Sequence, residues 1–171
     1  KFLFVIALYV ISNQLFSYRR YDIVIIGSGF TGNTGCGSGT TCTAGENCVF
    51  HFGWLGDGLV SDLSQMKCRQ VFSPGDSNIE SSFNPKGLGI DANYGFLYVS
   101  SDDGVTDYVY RFDQKVGYTT NTRFNHSDLN GSPLGLSTGN GTDVLIVANN
   151  SNNKFISFDI SSNGNLTYNT T

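Results

Sequence analysis

Charge is scarce in this 171-residue chain. Only 14% of its residues are Asp, Glu, Lys or Arg, and they sum to −4 at neutral pH. Proteins that hold nucleic acid carry clustered Lys and Arg against the phosphate backbone. The one adjacent basic pair here is Arg19-Arg20, so nucleic acid is not an expected partner. There are 3 Pro, one Trp, one Met and two His. His51 sits in an apolar stretch (Val49, Phe50, Phe52), which reads as a structural histidine, and His126 sits in a polar one, which reads as exposed. Neither lies beside a nucleophile motif, and in Gly35-Cys36-Gly37-Ser38-Gly39 the serine is one place off a nucleophile elbow. A Ser-His-Asp triad is therefore not expected. No apolar run is long enough to span a bilayer, which takes about 20 residues as a helix. The lack of charge also argues against long exposed helices, and no segment above a turn or two carries helical periodicity.

What replaces charge is Gly (21 residues), with Asn, Ser and Thr, among 39% hydrophobic residues that include 13 Phe and 9 Tyr. That balance favours strands and turns. Residues 1–17 hold a Lys, an unbroken apolar run from Phe2 to Ile11, and then polar residues. This order fits a signal peptide with cleavage after Ser17, although Leu15 departs from the small residue such sites prefer. The alternative for the same run is a buried first strand. A chain that opens on Lys rather than Met fits a fragment of a longer reading frame, or a processed product.

Export is supported by two further features. Asn125, Asn130, Asn140, Asn149, Asn165 and Asn169 each begin an Asn-x-Ser/Thr sequon, all within the last 47 residues, which predicts a glycoprotein. The four cysteines, Cys36, Cys42, Cys48 and Cys68, form an even, clustered set. In an exported chain they predict two disulfides, with three connectivities open. Their x5, x5 and x19 spacings do not match the paired CxxC of structural zinc sites.

Asp22 to Ile26 is a strong strand signal, followed by Gly27-Ser28-Gly29-Phe30-Thr31-Gly32. A strand leading into G-x-G-x-x-G resembles the dinucleotide-binding fingerprint, whose helix N-terminus must hold the pyrophosphate. The sequel Asn33-Thr34-Gly35-Cys36-Gly37 cannot make that helix, so no nucleotide cofactor is expected. Residues 18–75 read as a disulfide-pinned, Gly-rich segment that amounts at most to a degenerate repeat. Short strands are expected at 49–52 and 68–72, a turn at 53–58, and one or two helical turns at 59–66.

Residues 76–171 are regular. Pro85, Gly87 and Val99 recur at an offset of 48 as Pro133, Gly135 and Val147, and Phe112-Asp113 recurs as Phe158-Asp159. Each copy carries a Gly-Leu strand (87–91, 135–138), a buried strand (96–100, 144–148), an alternating strand through Tyr108, Tyr110 and Phe112 or through Ile156 and Phe158, and a last strand near 118–124 or 166–170. Four short strands per repeat of this length are the content of a propeller blade. Gly-Leu, then Val144-Leu145-Ile146-Val147-Ala148-Asn149, then Phe155-Ile156-Ser157-Phe158-Asp159 resembles the YVTN and lactonase-like β-propeller repeats. The stretch Pro85 to Asp113, with Leu97-Tyr98-Val99-Ser100-Ser101-Asp102, is similar to NHL or gluconolactonase-like repeats. The resemblance covers about half the chain and implies an all-β fold of propeller blades. It implies much less about activity.

A closed propeller needs four to eight blades, and two are clear here. More chain or more subunits would close it; a small β-sandwich of two duplicated hairpins is the other way to bury the faces. Propellers of the gluconolactonase class place a divalent cation among strand-end oxygens, and by residue type Asp91, Asp102, Asp103, Asp113 and Asn149 suit Ca²⁺. The strand aromatics read as core, or more sharply as a carbohydrate platform. Three functions follow as expectations. The first is a secreted or cell-surface β-propeller glycoprotein acting as a non-catalytic module for a protein or carbohydrate ligand. The others are a lactonase-like metal-dependent hydrolase and a self-assembling extracellular subunit.

Overall fold

A computed structural model describes residues 6–11, 19–28, 42–43, 45–56, 67–91, 93–104, 106–113, 121–139, 142–151 and 153–169. The expected helical turns at 59–66, and Cys36 and Asn140, lie outside these residues. The fold is all-β, and among the described residues no helix is long and apolar enough to cross a membrane. The chain divides into two compact units, residues 1–73 and 74–171.

The amino-terminal unit is one antiparallel meander of β1 (Ile6–Ile11), β2 (Arg19–Ser28), β3 (Asn47–Gly56) and β4 (Lys67–Phe72), in that order. The apolar run at the start of the chain supplies β1, which pairs with β2 from Ile6↔Ile25 to Ile11↔Arg20. The strand alternative therefore describes residues 6–11 as they are placed. The turn expected at 53–58 does not begin at Gly53. Strand β3 continues to Gly56 because β2 reaches back to Arg19 and gives residues 53–56 a pairing partner. One face of this sheet gathers Cys48, Phe50 and Val71 beneath Cys42. Cys42 and Cys48 form a disulfide with Cα atoms 6.1 Å apart. Closing so short a loop contributes about 2 kcal/mol through the unfolded chain. Cys68 is disulfide-bonded as well.

The carboxy-terminal unit is two such meanders. The first runs β5 (Pro85–Asp91), β6 (Phe96–Ser101), β7 (Tyr108–Asp113), β8 (Asn121–Phe124), and the second β9 (Pro133–Thr138), β10 (Val144–Asn149), β11 (Lys154–Ile160), β12 (Leu166–Asn169). A single 3-10 turn at Ser127–Leu129 joins them, and its Leu129 is fully buried. The four-strand content and 48-residue spacing read from sequence are thus present, and neither sheet closes on itself.

Period-2 alternation gives each sheet two faces. In the first sheet the front face carries Phe96, Tyr98 and Val109, and the back face Leu97, Val99, Tyr110 and Phe112. All seven are buried. The second sheet lays its back face, Leu145, Val147, Ile156, Phe158 and Ile160, on the front face of the first to make one core. Two glycines permit this fit. A Cβ on Gly87 would lie 2.6 Å from the Gly135 backbone, so β5 and β9 touch through glycine. Gly164 has φ +77° and is pressed against the Phe96 ring, where a Cβ would come within 2.7 Å. The Tyr98 hydroxyl donates to the Gly164 carbonyl at 2.9 Å across the same seam. The Arg111 guanidinium spans it too, over the Phe96 ring and bonded to Asn163 O at 2.6 Å and Asn165 Oδ1 at 2.9 Å.

Candidate functional site

Polar side chains collect where the β6–β7 turn meets the segment leading into β9. The turn is short and rich in Asp, so its backbone N–H groups need side-chain acceptors. Asp107 supplies one. Its Oδ1 accepts from Asp103 N–H at 2.9 Å, and its Oδ2 from Gly131 and Ser132 N–H at 2.7 and 3.3 Å. Its own N–H donates to Asn130 Oδ1 at 3.1 Å.

Asp103 is buried beside it. It accepts the Tyr110 hydroxyl at 2.7 Å, the Ser101 hydroxyl, and Asn84 N–H at 3.4 Å. Burial pushes its carboxyl above the ordinary range, and the Ser101 and Tyr110 hydrogen bonds hold it back. Burial, with Asp103 alongside, drives the Tyr110 phenol upward too. Tyr110 is therefore a neutral donor that completes a core, with Phe83 edge-on to its ring at 5.0 Å.

The other residues singled out by sequence are dispersed. Asp102 is half-buried, 3.5 Å from the Ser132 hydroxyl and 4.0 Å from Lys86 Nζ. Asn149 is buried at 2% exposure. Its Nδ2 donates to Asp128 O and Leu129 O at 2.7 and 2.8 Å, and its Oδ1 accepts from Ser151 N–H and hydroxyl, each at 3.1 Å. Asp91 sits at the opposite end of the first sheet, paired with Phe96 and accepting Asn93 N–H at 2.9 Å. The length of β6, roughly 17 Å, separates it from Asp102. Asp113 pairs with Phe96 at that same far end. Among the described residues no three His, Cys, Asp or Glu side chains are placed to share a metal ion.

His51 is buried on β3. His126 is only half-exposed, because its ring stacks on Tyr168 at 3.8 Å. Tyr168 in turn donates to Asp128 at 2.7 Å, and this bond, with Lys154 near, holds the Asp128 carboxyl below its usual range. Sequence reading had no signal for this trio, since its members come from a loop, a turn and an edge strand. Asp107 was missed for a related reason: nothing in a polar turn marks which carboxylate will be spent on backbone N–H groups of a later loop.

Comparison with protein-family models, curated proteins and solved structures finds no match.

Proposed function

We propose that the chain is an exported glycoprotein built of β-propeller-type repeats that serves as a non-catalytic binding or structural module. The observation that carries this reading is how the polar side chains at the shared end of the two repeats are used. Asp103, Asp107 and Asn149 are occupied by backbone N–H and C=O groups and by neighbouring hydroxyls. Such groups brace turns, whereas a reactive site aims them at a cavity. The blade reading is supported by the 48-residue recurrence and by two four-stranded meanders stacked with β5 and β9 in contact. Export is supported by the Cys42–Cys48 disulfide and by exposed sequon asparagines at Asn125, Asn130 and Asn165. The ligand class consistent with a weakly charged surface that exposes Leu134, Ile146 and Phe155 is protein or carbohydrate.

The test is expression through a eukaryotic secretory pathway. The expected product appears in the medium, shifts to lower mass on enzymatic deglycosylation, and hydrolyses no member of a lactone panel in the presence of calcium. Calcium-dependent lactone hydrolysis, lost on chelation and in Asp91→Ala, would overturn the non-catalytic reading.

A further inference from the structure

One cluster of titratable side chains stands apart from the Asp103–Asp107 network, on the segment that joins the two repeats. The 3-10 turn Ser127–Leu129 opens on His126, whose backbone is extended (φ −151°, ψ 147°) and whose Nδ1 accepts from Asp128 N–H at 3.2 Å. A ring nitrogen that accepts a hydrogen bond carries no proton. The capping imidazole is therefore the neutral form, with its hydrogen on Nε2. The turn it opens reaches into the core: Leu129 is fully buried, and the Asp128 and Leu129 carbonyls hold the Asn149 amide.

The same nitrogen has a second partner at hand. Asp128 Oδ2 stands 3.7 Å from His126 Nδ1, past hydrogen-bond reach as placed, yet near enough for a protonated ring to close on by a small in-plane rotation. Tyr168 sets that plane, stacked on the imidazole at 3.8 Å and 8°, and its phenol face favours a cation over it. The Tyr168 hydroxyl donates to the same carboxylate oxygen at 2.7 Å, which leaves that oxygen a lone pair for His126. The titratable and charged groups that face the ring are Asp128 from the turn, Lys154 from β11 and Tyr168 from β12. The Tyr168 bond, with Lys154 and His126 near, holds the Asp128 carboxyl below its usual range, and Asp128 raises the Tyr168 phenol. Lys154 Nζ lies 3.8 Å from Asp128 Oδ1 with its side chain 58% exposed. Of these residue types only histidine ordinarily changes charge between about pH 5 and 8, and both shifts in the cluster run away from that range.

We propose that His126 is a proton-operated switch at the junction of the two repeats: the neutral ring caps the 3-10 turn through Asp128 N–H, and the protonated ring releases that N–H and pairs with the Asp128 carboxylate instead. A single proton from solvent on Nδ1 makes the exchange, because it turns the acceptor into a donor. One hydrogen bond is lost and one ion pair gained, so the turn changes partners without unfolding. The change stops at the mouth of the turn, since Asn149 grips the Asp128 and Leu129 carbonyls from the core side. The switch goes beyond the exported-module reading and does not rest on it.

The experiment is heteronuclear NMR of the full chain from about pH 8 to about pH 5.5, the span in which imidazoles change charge. At the alkaline end the His126 ring is expected as the Nε2–H tautomer. As the ring gains its proton, the Asp128 amide proton should move upfield with the ring's own midpoint. Its protection from hydrogen exchange should fall roughly five-fold, the loss of one net hydrogen bond. The Leu129 amide and the Asn149 side-chain amide should stay where they are. His126→Asn supplies a capping oxygen that does not titrate, so there the Asp128 amide should hold its alkaline position throughout. An Nδ1–H tautomer at the alkaline end or an Asp128 amide indifferent to the ring's titration would overturn the proposal in wild type alone. The same amide shift persisting in His126→Asn would overturn it as well. None of these outcomes bears on secretion or deglycosylation, so the two readings fail separately.

Discussion

Asp107 accepts three backbone N–H groups from two loops while it is itself 1% exposed. Removing the carboxylate leaves the Asp103 N–H unmatched in a buried place, at ~1–3 kcal/mol, and the Gly131 and Ser132 N–H groups unmatched in a partly buried one at less. Asp107→Ala should therefore lower unfolding free energy by about 3 kcal/mol in a urea titration. Asp107→Asn should cost less, because one acceptor oxygen remains. Asp103 carries the opposite lesson. Its folded pKa lies above the unfolded value, so between those two pH values the folded state binds the extra proton and stability falls as pH rises. Above the folded pKa the full cost of burying the charge persists. Asp103→Asn keeps an acceptor for Ser101 and Asn84 without the charge. It should flatten the rise in Tm that wild type shows as pH drops from neutral toward that window. Asp128 works in the reverse sense. Its lowered pKa gives stability that is present above the usual carboxylate range and is lost as pH falls, so Asp128→Asn should remove an acid-side loss.

At the scale of strands and sheets, the Gly87–Gly135 contact decides how closely the two meanders stack. A Cβ at position 87 has no flexible side chain to push aside, only the backbone of β9 at 2.6 Å. Gly87→Ala must move one sheet against the other and should cost about 1–3 kcal/mol, read as a lower urea midpoint. Gly135→Ala meets open space and should leave the midpoint unchanged or slightly raised. This asymmetry between two residues that the sequence treats as equivalents marks where sequence reading stops. Strands β6 and β10 were legible as short continuous apolar runs, and β7 and β11 because their apolar residues alternate with period 2, which puts Tyr110, Phe112, Ile156 and Phe158 on the buried faces. Phe155 opposite Ile156 was legible by the same rule. The pairing of β1 with β2 was open, since a ten-residue apolar run satisfies both an export signal and a buried strand. Which turn carboxylate braces which loop was not legible at all. Asp107 meets Gly131 and Ser132 across 24 and 25 residues, and only the stacking of the sheets brings them together.

Across the whole molecule, the six sequons are equal in sequence, and the five whose asparagines are described are unequal in place. Oligosaccharyl transfer needs a free amide nitrogen, and a folded protein tolerates the product only where sugar can project into water. Asn125 and Asn165 are exposed, and although Arg111 holds the Asn165 carbonyl oxygen, it leaves that amide nitrogen outside the bond. Asn149 is the reverse case: its nitrogen is bound to two carbonyls beside Leu129 in the core. A chain glycosylated there could not seat that turn, and would be retained rather than secreted. Asn169 lies between these cases: it is half-buried, and its amide nitrogen donates to Asp159 Oδ1 at 3.0 Å. Peptide mapping of secreted material, deglycosylated in heavy water so that each modified Asn gains a mass label, should find label at Asn125 and Asn165 and none at Asn149. Asn149→Gln should leave the glycan pattern intact yet lower the urea midpoint, because a longer amide cannot reach both carbonyls in the same geometry. Label at Asn149 in folded, secreted protein would contradict the buried placement of β10's last residue.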